Sequence, residues 1–314
     1  MTGSKTIRIA TRGSRLALAQ SNWVRDRLAA TWPDRRFEIV KISTKGDRVL
    51  DRPLPEIGGK GLFTEELEAA LRSGDVDIAV HSLKDLPTEA APGLKIGAVP
   101  QREDPRDVWI TAPGGPPDLG AAPARARIGT SSERRRAQAL ASRPDVEVAS
   151  IRGNVETRLR KLDEGGYDAV IMAAAGLRRL GLAERITSYL EPPHWLPAPG
   201  QGAIAVESRR DDARLDELLA PIDDADARAE TDAERMLLAT LQGGCLVPVG
   251  ARAVVEGDVI SLHALVARSD GSVVVRGEGT EKRTEAGELG IRVARDLLGR
   301  GAAEIVADFR EGLR

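Results

Sequence analysis

Short apolar runs alternate with amphipathic stretches along most of this chain, and the alternation itself predicts the elements. Ile7-Arg-Ile-Ala-Thr11 reads as a strand, and Arg15–Thr31 as a helix with Ser14 as its cap. The same reasoning predicts strands over Phe37–Ser43, Val76–Val80 and Leu94–Val99, with a helix over Leu62–Arg72, hence a mostly parallel, helix-covered sheet. Beyond the strand at Val108–Thr111 and a Pro, Gly and Ala-rich loop, the pattern restarts. Strands at Arg127–Ser132, Val146–Ile151 and Asp168–Ala173 alternate with helices at Glu133–Ser142 and Asn154–Leu162. After the proline-rich segment 192–199, Gly200–Glu207 reads as another strand, and the chain is expected to cross back to the first lobe there. A long helix over Ala227–Gln242 precedes strands at Val249–Val255, Val259–Ala267 and Val273–Arg276 and helices from Thr284, a small α+β domain. The expected division is residues 1–101 plus 200–220 as a first lobe, 102–199 as a second, and 221–314 as a C-terminal domain.

Composition narrows the classes. A chain of 314 residues with 41% hydrophobic and 30% charged positions is long enough for about two or three globular domains. A net charge of −2 argues against a nucleic-acid binder, which needs a strongly positive face. No segment has the length and apolarity of a signal peptide or a membrane span, so a cytoplasmic location is expected. The single cysteine, Cys245, excludes an internal disulfide, and His81, His194 and His263 show no metal spacing, so no metal is expected. Only 8 of the 46 basic residues are lysine. Where arginines cluster at helix starts, their planar fork suits carboxylate recognition.

The candidate chemistry sits at strand ends. In Ile78-Ala-Val-His-Ser-Leu-Lys-Asp-Leu-Pro87 a buried strand ends in His81, Ser82, Lys84 and Asp85, at the carboxyl edge where open sheets bind ligands. Ile9-Ala-Thr-Arg-Gly-Ser14 and Ile128-Gly-Thr-Ser-Ser132 both run from a strand into a helix start, and such starts offer free N–H groups to anions. Two such cradles on two similar lobes suggest a ligand clamped between domains. Arg12, Arg134, Arg135, Arg152 and Arg158 add guanidinium groups for a polyanion, whereas Arg136 and Arg160 read as solvated charge. Gly58-Gly-Lys-Gly-Leu-Phe63 lacks the spacing and the Ser or Thr after Lys60 that a phosphate loop requires. It reads instead as part of a mobile loop, 44–61, with a cationic tip. Gly243-Gly-Cys245 displays a thiol on a bare turn.

These motifs together resemble the porphobilinogen deaminase family. The resemblance runs through Ala10–Leu18, Gly58–Phe63, His81–Pro87, Gly129–Ser132, Arg152-Gly-Asn154, Pro199–Ala203 and Gly243-Gly-Cys245. It implies an α/β fold of two hinged lobes resembling type II periplasmic binding proteins, plus a small α+β C-terminal domain, in a monomer. It implies a dipyrromethane cofactor joined to Cys245 by a thioether, on which porphobilinogen units are polymerised with release of ammonia before hydroxymethylbilane is hydrolysed off. Asp85 would stabilise positive charge developing on the substrate's pyrrole, assisted by Lys84. Cofactor contacts fall to Ser82, Lys84, Asp85, Thr130, Ser131, Ser132, Arg134, Arg135, Arg152 and Gly153, and substrate contacts to Arg12, Ser14, Lys60, Phe63, Arg152, Arg158 and Gln201. Glu56 stands where many relatives carry a lysine, so a loop-to-cofactor ion pair is not expected from that position. Two alternatives belong to other classes. A cofactor-free two-lobed oxyanion-binding protein would need neither Asp85 nor a displayed thiol, and a Schiff-base enzyme using Lys60 or Lys84 would need a desolvated lysine.

Overall fold

The computed structural model describes residues 6–48, 64–242 and 247–311. By its contacts the chain divides into two units, Met1–Glu103 with Ala203–Arg228, and Asp104–Gly202 with Ala229–Arg314.

The first unit holds a five-stranded sheet in the order β2-β1-β3-β10-β4, built from Phe37–Lys41, Ile7–Thr11, Ile78–Ser82, Ile204–Arg209 and Leu94–Ala98. β1 pairs in parallel with β2 and β3, and β10 returns antiparallel between β3 and β4. The Arg15–Thr31 helix forms at the expected bounds, because Ser14 Oγ accepts from Ala17 N (3.2 Å) and Pro33 stops the helix after Trp32. Its Val24 and Leu28 pack on Ile7, Ile9, Ile78 and Val80. Burying one such side chain stabilises by about 1.5–3 kcal/mol. On the other face, Leu67 and Leu71 of the Glu65–Ser73 helix cover Ala10 and Ala79.

The second unit repeats this topology. Its sheet order is β7-β6-β8-β5-β9, from Glu147–Ala149, Arg127–Gly129, Ala169–Ala173, Asp107–Ile110 and Ser188–Leu190. β6 is parallel to β7 and β8, and β5 runs antiparallel between β8 and β9. The same unit contains an antiparallel meander of β11 (Val249–Glu256), β12 (Val259–Ala267) and β13 (Val274–Lys282). The Ala286–Leu297 helix buries Ala286, Leu289, Val293, Ala294 and Leu297 in that meander's core. Gly290 is required on that helix, because a Cβ there would collide with the Ala233 backbone of the Ala225–Thr240 helix. The α/β class with two sheet-based lobes and a smaller α+β C-terminal region therefore holds.

Several boundaries differ from the sequence reading, three of them for reasons the surrounding structure supplies. β3 continues through His81 and Ser82, because β10 supplies Ala205 and Ile204 as their partners. The return strand starts at Ile204 rather than Gly200, since Gly200 and Gly202 adopt φ of 73° and 86°, outside the strand region. β13 extends to Lys282, its alternating exposed residues closing a one-sided sheet. The crossing back to the first sheet is found where it was expected.

Candidate active site

In the first unit, β3 ends in a single 3-10 turn, Leu83–Asp85. Leu83 N donates to Ala203 O (3.0 Å) and Leu86 N to Leu83 O (3.1 Å). Leu83 and Leu86 are buried with Val99, Ala203 and Ala205, which pins the turn and turns Asp85 outward. Asp85 lines a pocket with Arg12, Ser14, Gln20, Thr64 and Ser82. Gln20 Nε2 donates to Ser82 Oγ (2.9 Å). The Ser14 hydroxyl accepts from the helix start, which leaves its proton for a ligand oxygen. His81 is not at an open strand end as the sequence suggested. Its side chain is buried, with Nε2 3.3 Å from Glu207 Oε2 on the neighbouring return strand.

In the second unit, Ser132 caps the Glu133–Ser142 helix, its Oγ accepting from Arg135 N (3.5 Å). Thr130 Oγ1 accepts from Ser132 N (3.2 Å). Arg134 and Arg135 do not present open guanidinium groups, as the sequence suggested. Both are buried on Asp107, the first residue of β5. Arg134 Nη1 donates to Asp107 Oδ2 (2.6 Å) and to Leu196 O (2.7 Å). Arg135 donates to Asp107 Oδ1 from Nε (3.0 Å) and Nη2 (2.7 Å), and to Ile171 O from Nη1 (3.1 Å). Trp195 Nε1 (2.8 Å) and Gln201 Nε2 (2.8 Å) complete the shell of Asp107. Burial alone would raise the Asp107 carboxyl, but the two guanidinium charges and their hydrogen bonds outweigh it and hold it far below the usual carboxylate range.

Arg158 lies within reach of the charges of Arg135 in this cluster and of Arg152. Arg152 Nη1 is buried and has no hydrogen-bond partner. Arg158 is pushed down to about 10, by burial first and then by the charges of Arg135 and Arg152. Gly153, between them in the chain, has φ of 117°, and a Cβ there would stand 2.6 Å from Thr157 Cγ2, so only glycine fits. A buried donor without an acceptor, beside a guanidinium whose proton is destabilised, is the arrangement that a ligand carboxylate would satisfy. The residues therefore fit a group carrying several carboxylates.

The first unit brings together Arg12, Ser14, Ser82 and Asp85, and the second brings together Thr130, Ser131, Ser132, Arg134, Arg135, Arg152, Gly153, Arg158 and Gln201. Cys245, Lys60 and Phe63 lie outside the described residues, as does most of the 44–61 loop. Among the described residues no cluster of His, Cys, Asp or Glu could hold a metal ion, and no helix is long and apolar enough to cross a membrane. Sequence reasoning missed Gln20, Glu207 and Asp107. The signal for Asp107 was an acid directly ahead of Val108-Trp-Ile110, but beginning the strand at Val108 left it in a loop.

Residues 7–217 match the family model described as porphobilinogen deaminase, dipyromethane cofactor binding domain, and residues 229–299 match that of the porphobilinogen deaminase C-terminal domain. The chain belongs to the porphobilinogen deaminase family. A porphobilinogen deaminase of Syntrophobacter fumaroxidans is 50% identical over 306 residues, covering 97% of this chain and 98% of its own. One of Stenotrophomonas maltophilia is 51% identical over 302 residues, covering 96% and 99%. Among solved structures, the periplasmic VFT2 domain of Bordetella pertussis BvgS aligns over 68% of this chain and 84% of its own, at 19% identity and a TM-score of 0.40. Because the larger matching model is a cofactor-binding domain, the cofactor-free alternative is not favoured.

Proposed function

We propose that this chain is an active porphobilinogen deaminase, joining four porphobilinogen units head to tail with loss of ammonia and then releasing hydroxymethylbilane by hydrolysis. The observation that carries the reading is the buried, partnerless Arg152 Nη1 beside Arg158. Every porphobilinogen ring brings an acetate and a propionate, and this pair supplies charge for them with no acid of its own among the residues that shift Arg158. A dipyrromethane bound through Cys245 would supply a primer whose free pyrrole end accepts the next ring.

The chain's own residues then divide the work. Arg152 and Arg158 hold carboxylates, with the backbone at Gly153 and the hydroxyls of Thr130 and Ser132 beside them. Arg134, Arg135 and Gln201 are held on Asp107, and Arg135 adds its charge to that site. Arg12 and Ser14, at the start of a 17-residue helix, orient a carboxylate in the first unit's pocket. Asp85, held outward on the pinned turn, places a fixed negative charge where the pyrrole becomes positive as ammonia departs, with Lys84 beside it in the turn and Ser82 at the end of β3. Lys60 and Phe63 remain part of the proposal as substrate contacts. A monomer in the cytoplasm and the three-domain division given above complete the reading.

The test is intact-protein mass spectrometry. The protein as purified should carry an adduct equal to two porphobilinogen units less two ammonias, and Cys245→Ser should carry none and be inactive. A wild-type mass equal to that of the bare chain, in a preparation that still consumes porphobilinogen, would overturn it.

A further inference from the structure

From the end of β7 through the irregular stretch that carries Arg152, the carbonyls are held one after another by donors from the rest of the unit. Arg136 Nη1 donates to Val148 O (3.1 Å) and Thr130 N to Ala149 O (3.0 Å). Tyr167 Oη donates to Ser150 O (2.8 Å), Ser131 Oγ to Ile151 O (2.7 Å), Lys161 Nζ to Arg152 O (3.1 Å) and Arg158 Nε to Gly153 O (2.9 Å). Surface connections ordinarily leave such carbonyls to water. Here the donors come from the two residues after β6, from the two helices on either side and from the turn before β8, so a shift of the segment would break several bonds at once.

The donors are themselves held. Arg127 stacks on the Tyr167 ring with 5.1 Å to its centroid, and a Cβ at Gly129 would stand 3.0 Å from Tyr167 Cδ1, so the ring packs closely over Gly129. The single hydroxyl proton of Ser131 is spent on Ile151 O, while its oxygen accepts from Ile151 N (3.1 Å). Ser131 thus serves the segment in place of donating to a ligand. Within the segment, Ile151 is anchored in the core beside Val108 and Val170, and Arg152 follows it directly. The feature this fixation serves is the Arg152 side chain, whose buried Nη1 lacks a partner.

We propose that Tyr167 and Lys161 are positioning residues which, with Ser131, hold residues 150–152 so that the Arg152 guanidinium meets a substrate carboxylate already in place. This rests on the reading that Arg152 binds carboxylates. A guanidinium fixed before binding gives up no backbone freedom when the ligand arrives, and misplacement by a fraction of an ångström weakens a directional pair.

The test is steady-state kinetics on the full chain for Tyr167→Phe and Lys161→Met, alone and combined with Arg152→Leu. Each single variant removes one partly solvated hydrogen bond and should fold, with a melting temperature close to the parent's. Each should raise KM for porphobilinogen about three- to tenfold, the equivalent of one hydrogen bond, and leave kcat within about twofold. Neither should raise KM further in the Arg152→Leu background, since the effect passes through Arg152. Equal effects in both backgrounds mean a general structural role and overturn the proposal. Parental KM in Tyr167→Phe and Lys161→Met, with Arg152→Leu impaired, overturns the clamp alone. Parental KM in Arg152→Leu overturns the carboxylate-site reading and the clamp with it.

Discussion

The two five-stranded sheets begin alike and end differently. At the base of each, an arginine early in the first strand and an aspartate ahead of the third are joined by two hydrogen bonds. Arg8 N donates to Asp77 Oδ2 (2.9 Å), and Asp77 N to Arg8 O (2.9 Å). Arg127 N donates to Asp168 Oδ2 (2.6 Å), and Asp168 N to Arg127 O (2.9 Å). Each of these aspartates follows a glycine of nearly the same φ, Gly74 at 77° and Gly165 at 78°. Both return strands carry a buried acid, with different partners and at different heights, Asp107 opposite the last residue of β8 and Glu207 opposite the second of β3. Asp107 on β5 holds two arginines, and Glu207 on β10 faces one histidine. The third strand then leads to an exposed acid at Asp85 in the first unit and to Ala174-Ala-Gly-Leu-Arg-Arg179 in the second. One framework has been filled for opposite charge, with a fixed anion in one unit and a surplus of cations in the other.

The two return-strand acids should therefore differ most under mutation. Asp107→Ala leaves two guanidinium groups buried without their acid and should cost about 3–5 kcal/mol of stability. Glu207→Gln keeps its shape and a polar contact to His81, and should cost about 1 kcal/mol. Urea titration compares them, and equal losses would refute the contrast. The pH dependence has a definite sign. Because the Asp107 pKa is depressed in the folded state, its contribution is complete above the unfolded carboxylate value near 3.9 and is lost as pH falls below it. The acid limb of a stability–pH curve should therefore flatten in Asp107→Ala.

The exposed acid should matter to rate and little to stability. Asp85→Asn should lower turnover roughly a hundred- to thousandfold, the usual cost of one lost preorganised charge contact, with an unchanged circular dichroism spectrum. Activity within about tenfold of the parent would remove Asp85 from the chemistry. The smallest effects test the features the units share. Ser14→Ala and Ser132→Ala should each cost about 1 kcal/mol, with Ser14→Ala the larger, because its capping bond is 3.2 Å against 3.5 Å. A reversed order would show that cap geometry does not set the difference.

The sequence by itself determined the elements whose signals are local. The Arg15–Thr31 and Glu133–Ser142 helices form at the expected residues, because a serine cap marks each start and an amphipathic repeat fills each interior. The crossing back after the proline-rich segment was legible too, as was the family, since its motifs are contiguous in the chain. Only the tertiary structure decided what the charges do. Arg134, Arg135, Arg152 and Arg158 look equivalent in a one-dimensional pattern. Their difference depends on Asp107, 27 residues before Arg134, and on Trp195 and Gln201 far beyond them. Burial then separates a guanidinium that has met its acid from one that has not, because a buried charge is stable only with a partner. That partner is chosen by how strands from distant parts of the chain pair, and no local spacing records it.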